Sequence, residues 1–186
     1  MIKVYHAGYF EIPKPDIHRG RVNADFGQGF YVTADYEFAG GWTREKPGTD
    51  IFINVYELDE VGLDILEFDR DADWFRYVFS NRRSMPDIHK EKDLVMGPIA
   101  NDTIYNTMGI MTSGFLSDEE ALKLLSVGPK YRQIVLKTQK AADHLKFIKS
   151  EALSKEIIQT NKKRVKAEED EYLQKIAEVM KEFDAI

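Results

Sequence analysis

The chain has 186 residues, 43% of them apolar, enough for one core, and it has no cysteine, which excludes disulfides and thiolate chemistry. Its formal charge of -6 opposes sequence-independent binding to phosphate backbones, an affinity that comes from neutralising phosphates with Lys and Arg. No apolar run approaches the ~20 residues that span a bilayer, and Met1–His6 lacks a signal-peptide pattern, so a soluble, cytoplasmic protein with no membrane contact is expected.

Ile2 to His6 alternates as a short strand, and Pro13 and Pro15 then impose an extended or turning path, which places His6 at a strand end. Gly27-Gln28-Gly29 gives backbone freedom before the β-prone run Phe30–Thr33, with Tyr31 just inside this second strand. Thr33 or Asp35 caps a helix bearing Phe38, Ala39 and Trp42, weakened by Gly40 and Gly41. Ile51 to Leu58 is apolar on both faces and so predicts a central strand; Leu63 to Phe68 predicts another. Between Asp69 and Arg83, Ala72, Phe75, Val78 and Phe79 form the apolar face of an amphipathic helix, with Trp74 beside it and Arg82-Arg83 at its end.

Asp93 to Asp102 reads as a strand or short buried element broken by Gly97-Pro98. Ser117 and Glu120 make a capping box for a helix through Leu125, stopped by Gly128-Pro129. Arg132 to Lys137 predicts a strand with Ile134 and Leu136 on one face and Gln133, Val135 and Lys137 on the other, followed by a helix capped near Thr138. Beyond Ser150 the composition turns to Lys, Glu and Ala. Ile158, Val165, Tyr172 and Val179 recur every seven residues, with Ile176 and Phe183 beside them, predicting a long amphipathic helix that folds back on the domain or pairs with another chain.

The four histidines, His6, His18, His89 and His144, are scattered, and no metal-ligand spacing, P-loop or Gly-x-Ser-x-Gly elbow is present. His18, Arg19 and Arg21, and Arg82 with Arg83, are local basic groups that a solvated surface also explains. Singly, His6, Tyr31 and the Gly27-x-Gly29 pair are read as readily as structural residues.

In combination they carry more. Val4-Tyr5-His6-Ala7-Gly8, Pro15-Asp16, Gly20-Arg21, Asp25-Phe26-Gly27-Gln28-Gly29-Phe30-Tyr31-Val32-Thr33, Trp42, Asp93–Asp102 and Gln133–Thr138 follow one another in an order that resembles the bacterial DUF3990 family, grouped with the ADP-ribosyltransferase superfamily. The resemblance implies an α+β fold: an ADP-ribosyltransferase-like split β-sheet with flanking helices over residues 1–148, here extended at 149–186 by the charged C-terminal helix. It implies NAD as substrate and a catalytic set of His6, Tyr31 and Gln133, with His6 on a ribose hydroxyl, the Ala7 backbone on the nicotinamide amide and Tyr31 stacked on its ring. Gly27, Gly29 and Arg21 complete the NAD contacts, Arg21 on the pyrophosphate; Asp102 and Asn81 are weaker candidates. Where the wider superfamily carries a glutamate, this chain has Gln133, which favours single transfer over chain elongation. The implied activity is mono-ADP-ribosylation of a macromolecular acceptor, protein rather than nucleic acid given the acidic balance. The alternatives are an NAD glycohydrolase and a non-catalytic NAD- or partner-binding module. Families of this kind often act as toxins of toxin-antitoxin pairs, and the C-terminal helix offers a surface for an antitoxin or for self-association.

Overall fold

A computed structural model describes residues 1–100, 120, 123–124, 127–128 and 131–184, the side chains of 183 and 184 excepted. Two sheets carry the fold. The first joins β1 (Ile2–Gly8), β3 (Phe52–Leu58) and β7 (Leu145–Ala152) in the order β1-β3-β7, all antiparallel. The second joins β2 (Phe30–Val32), β6 (Arg132–Leu136), β5 (Leu94–Pro98) and β4 (Ile65–Glu67) in that order, with only the β4–β5 pair parallel. β3 is central, as its two apolar faces require.

The strand alternation read from β6 sorts its side chains between two cores. Ile134 and Leu136 join Val4, Phe30, Val32, Tyr56 and Leu58 in a layer between the sheets. Val135 faces the opposite way, into an aromatic cluster with Phe26, Phe68 and the residues Trp74, Phe75, Tyr77 and Val78 of helix α2 (Ala72–Arg82). Asp71 caps α2 by accepting from the Asp73 and Trp74 amides, which satisfies helix N–H groups that have no partner of their own. A third cluster covers the outer face of the first sheet, where Ala7, Ile51, Ile53 and Val55 meet Trp42 and Ile158.

Helix α1 (Tyr36–Gly40) is capped by Asp35, whose Oδ1 accepts from the Phe38 amide at 2.9 Å. Helix α3 (Gln139–Asp143) is capped by Thr138, and the long helix α4 spans Lys155–Asp184. Glu120, Lys123 and Leu124 are helical, while the Ser117 half of the expected capping box, Pro129 and Asp102 lie outside the described residues. Strand β7 was not expected from the sequence, and the division at 148/149 falls within it. Among the described residues no helix is long and apolar enough to cross a membrane.

α4 lies on its own domain. Arg164 donates to the Glu37 carbonyl at 2.6 Å and to the Tyr131 hydroxyl at 2.9 Å, Tyr131 in turn donates to Glu168 at 2.6 Å, and Lys162 pairs with Glu45 at 2.6 Å. The helix approaches α1 closely at Gly40, where a Cβ would stand 2.6 Å from Asn161 Nδ2, so a larger residue there would have to turn the Asn161 amide aside.

Candidate functional site

Among the described residues the two sheets touch edge to edge through one bridge, Tyr5 to Thr33, in which the Tyr5 amide donates to the Thr33 carbonyl at 2.8 Å and the Thr33 amide to the Tyr5 carbonyl at 3.0 Å. Antiparallel pairing would next bring Ala7 opposite Tyr31. It does not. The Tyr31 carbonyl is instead taken by His6 Nδ1 at 2.7 Å. The imidazole therefore wedges β1 from β2, and the sheets part at the positions the sequence motifs single out.

This wedge has two chemical consequences. A carbonyl oxygen only accepts, so Nδ1 carries the proton; burial holds the His6 pKa below its ordinary value against the opposing effect of the Tyr31 hydrogen bond, so the neutral ring presents Nε2 as an acceptor. The ring lies between Phe30 (centroids 4.6 Å apart) and Trp42 (6.2 Å, edge-on), and a Cβ at Gly8 would stand 3.4 Å from Nε2, so Gly8 leaves that edge open. Second, main-chain groups alternate along a strand, so Ala7 aims its N–H and C=O the same way as Tyr5, away from β3. Those of Tyr5 are used by Thr33; among the described residues no contact outside the β1–β3 ladder occupies those of Ala7. A donor and an acceptor thus stand together on the free edge beside Nε2.

Tyr31 and Gln133 stand on the α2 side of the second sheet, Tyr31 opposite Val135 and Gln133 two residues along the same strand. Both hold the segment Asp25–Gly27. The half-buried Tyr31 donates its hydroxyl to the Gly27 carbonyl at 2.7 Å and accepts from the Phe26 amide at 2.9 Å; burial, with Asp25 nearby, raises its pKa well above the usual phenol value. Gln133 donates Nε2 to Asp25 Oδ2 at 2.8 Å. The same segment is gripped by Lys137, only 2% exposed, which donates to the Phe26 carbonyl at 2.5 Å and pairs with Asp87.

The remaining expected residues fall around this frame. Gly27 (φ 77°) has the left-handed conformation that favours glycine, and a Cβ there would meet Asp87 Oδ2 at 2.3 Å; at Gly29 it would meet Val135 Cγ2 at 2.4 Å. Both glycines are therefore required by the chain's own packing on β6 and Asp87. Arg21 is exposed on the preceding loop, and Asn81 is buried, donating to the Asp25 carbonyl at 3.2 Å.

A cleft of about 500 Å³ opens farther along β2, lined by Thr33, Asp35, Met96, Tyr131, Arg132 and Gln133 among others. It takes in neither His6 nor Tyr31. The parted edge is the better candidate site because, among the described residues, it combines main-chain groups without a hydrogen-bond partner and a half-buried acceptor imidazole. Among the described residues no group of His, Asp and Glu is arranged to hold a metal ion.

Asp25, at the head of the glycine motif, and Arg82, read from the sequence as part of a local basic group with Arg83, form a nearly sealed ion pair of 2.7 Å beside Gln133, so Arg82 is not a solvated surface charge. The sequence signals Asp25 only by its place at the head of the glycine motif, and Arg82 only as half of a basic pair at a helix end; neither signal points to the other residue.

Residues 2–147 match the family model DUF3990, described as a protein of unknown function. No curated protein and no solved structure matches the chain.

Proposed function

We propose that this chain, which belongs to the DUF3990 family, is an NAD-dependent mono-ADP-ribosyltransferase with an ADP-ribosyltransferase-like split sheet. The observation that carries the reading is the parted edge, where among the described residues the N–H and C=O of Ala7 have no hydrogen-bond partner and the neighbouring His6 keeps Nε2 bare. A primary carboxamide offers the complementary acceptor and donor, and a ribose hydroxyl offers the proton that Nε2 accepts. Fixing both ends of the nicotinamide–ribose bond holds the leaving group while the anomeric carbon gains oxocarbenium character, and an acceptor nucleophile then attacks that carbon. Gln133 would accept from a second ribose hydroxyl and Arg21 would pair with the pyrophosphate.

The ring of Tyr31 would stack on the nicotinamide, its hydroxyl remaining on Gly27. A non-catalytic module of the same fold is favoured by one observation: the polar atoms of Tyr31 and the amide nitrogen of Gln133 already hold the chain's own segment 25–27. An acceptor protein, and an antitoxin or second copy on α4, are further parts of the proposal.

Calorimetric titration with NAD, beside nicotinamide and adenosine diphosphate ribose separately, tests the binding mode. NAD and nicotinamide should both bind, and His6→Ala should weaken NAD by at least about tenfold through loss of one buried hydrogen-bond acceptor. Binding of adenosine diphosphate ribose alone, unaffected by His6→Ala, would contradict the placement of nicotinamide at the parted edge.

A further inference from the structure

The carboxylate of Asp25 is the hub of the face that Tyr31 and Gln133 share. Its Oδ1 accepts from Arg82 Nε at 2.7 Å, and its Oδ2 accepts from both Gln133 Nε2 at 2.8 Å and the Ala100 amide at 3.0 Å. Arg82 and Asp25 side chains are 10% and 13% exposed, Gln133 7%. Arg82 is itself fixed by donating to the Ala100 carbonyl at 2.9 Å, so the carboxylate is held from two directions.

An ionised carboxylate has only acceptors, so the Gln133 amide must turn its NH₂ toward Asp25 and its Oε1 away. Among the described residues Oε1 accepts no hydrogen bond, and Gln133 is one of the residues that line the cleft of about 500 Å³. Oε1 is therefore the acceptor that Gln133 has left for a ligand, and Asp25 dictates its direction.

We infer that Asp25, braced by Arg82, is a positioning residue that sets Gln133 as a hydrogen-bond acceptor for a hydroxyl-bearing ligand, and that its presence is why position 133 carries an amide and not a carboxylate. The ligand half rests on the transferase reading; the exclusion of glutamate does not. A glutamate at 133 would place an oxygen where Nε2 now lies, 2.8 Å from Oδ2, and two carboxylates so close do not both ionise. Among the described residues the one guanidinium that pairs with Asp25, that of Arg82, offsets one of the two charges. The pair Asp25 and Gln133 thus keeps one negative charge a single hydrogen bond behind the ligand-facing acceptor.

Three variants test this without needing activity: Gln133→Glu, Asp25→Asn, and the two together, each melted from pH 4 to pH 8 with no ligand. Repulsion raises the folded-state pKa of the added carboxyl above its unfolded value of about 4.3, so its cost is small at pH 4 and grows as pH rises. Gln133→Glu should therefore match the wild type near pH 4 and melt several degrees lower at pH 7; failure to fold at pH 7 with folding at pH 4 is the same result in stronger form. In the double variant, where Asp25→Asn removes the opposing carboxylate, much of that pH-dependent loss should vanish, although the Ala100 amide then loses its acceptor or residue 133 its own partner. Asp25→Asn alone should weaken NAD about tenfold, because Gln133 is no longer held in one orientation.

A Gln133→Glu variant as stable as the wild type at pH 7, or a loss from Gln133→Glu that is the same in the Asp25→Asn background as in the wild type, would overturn the inference. Equal NAD affinity for Asp25→Asn and the wild type would overturn its ligand half. If the wild type binds no NAD while the coupling appears, the transferase reading falls and the control of residue 133 by Asp25 stands.

Discussion

Replacing His6 by alanine removes the wedge that parts β1 from β2, and the consequence can be followed at one backbone amide. In the wild type the His6 main chain faces Asn54 across the β1–β3 ladder, whereas the Ala7 N–H looks into the gap. An amide that exchanges only when the strand opens, at a cost of about 5 kcal/mol near the lower end of global stability, is slowed more than a thousandfold; an amide with no partner is hardly slowed. Hydrogen exchange read by NMR should thus show protection at Val4 and His6 and fast exchange at Ala7. In His6→Ala the Tyr31 carbonyl loses its 2.7 Å donor, at a cost of about 1–3 kcal/mol if it stays unpaired, which for a chain of this size lowers the melting temperature by a few degrees. Ala7 can recover part of that loss by pairing with Tyr31, so its amide should become protected as the bridge extends by one step. Protection of Ala7 equal to that of His6 in the wild type would refute the parted edge.

Two other perturbations probe the support of the site. Arg164→Ala removes donors to the Glu37 carbonyl and the Tyr131 hydroxyl, which tie α4 to the α1 wall beside Trp42; a loss of about 1–2 kcal/mol and increased acrylamide quenching of Trp42, the less buried of the two tryptophans, are expected, and unchanged quenching would contradict the bracing role. For Asp93, burial opposes ionisation, but the Asp64 amide, Lys140 and Thr138 outweigh it and hold the pKa at about 2. Its folded pKa lies below the unfolded value, so it stabilises the fold above about pH 4 by up to about 2 kcal/mol and loses that contribution as pH falls through 2. Melting curves of Asp93→Asn should lie below the wild type at pH 5 and converge with it near pH 2; a constant offset would contradict the assignment.

Local patterns carried much of the architecture. The two apolar faces of Ile51–Leu58 implied its central place, and the alternation of Gln133, Ile134, Val135 and Leu136 implied the two cores that β6 serves. Strand β7 was hidden because it is an edge strand, with only Leu145 buried, several charged side chains and a register shift opposite Val55 and Tyr56. In α4 the seven-residue repeat overstated Val165, which remains 41% exposed although it packs against Gly41, where a Cβ would stand 3.1 Å from Val165 Cγ2, while the polar residues Asn161, Arg164 and Glu168 carry contacts to the domain.

The site divides in the same way. The motifs pointed to His6 and Tyr31, but the wedge depends on the register between β1 and β2, which neither strand's own pattern contains. The link of Asp25 to Arg82 and Gln133 spans separations of 57 and 108 residues, beyond any local period. The glycines were legible as points of close approach; that the approach is to β6 and Asp87 follows only from the packed fold.

The transferase claim is tested most directly by incubating the purified protein with NAD labelled in its adenylate phosphate and a bacterial lysate, with His6→Ala in parallel, and following free nicotinamide and label on macromolecules together. The proposal predicts nicotinamide release matched by label on protein in the wild type and neither in the variant. Nicotinamide without transferred label would make the protein a glycohydrolase, and intact NAD throughout, with no label transferred, would contradict a catalytic role.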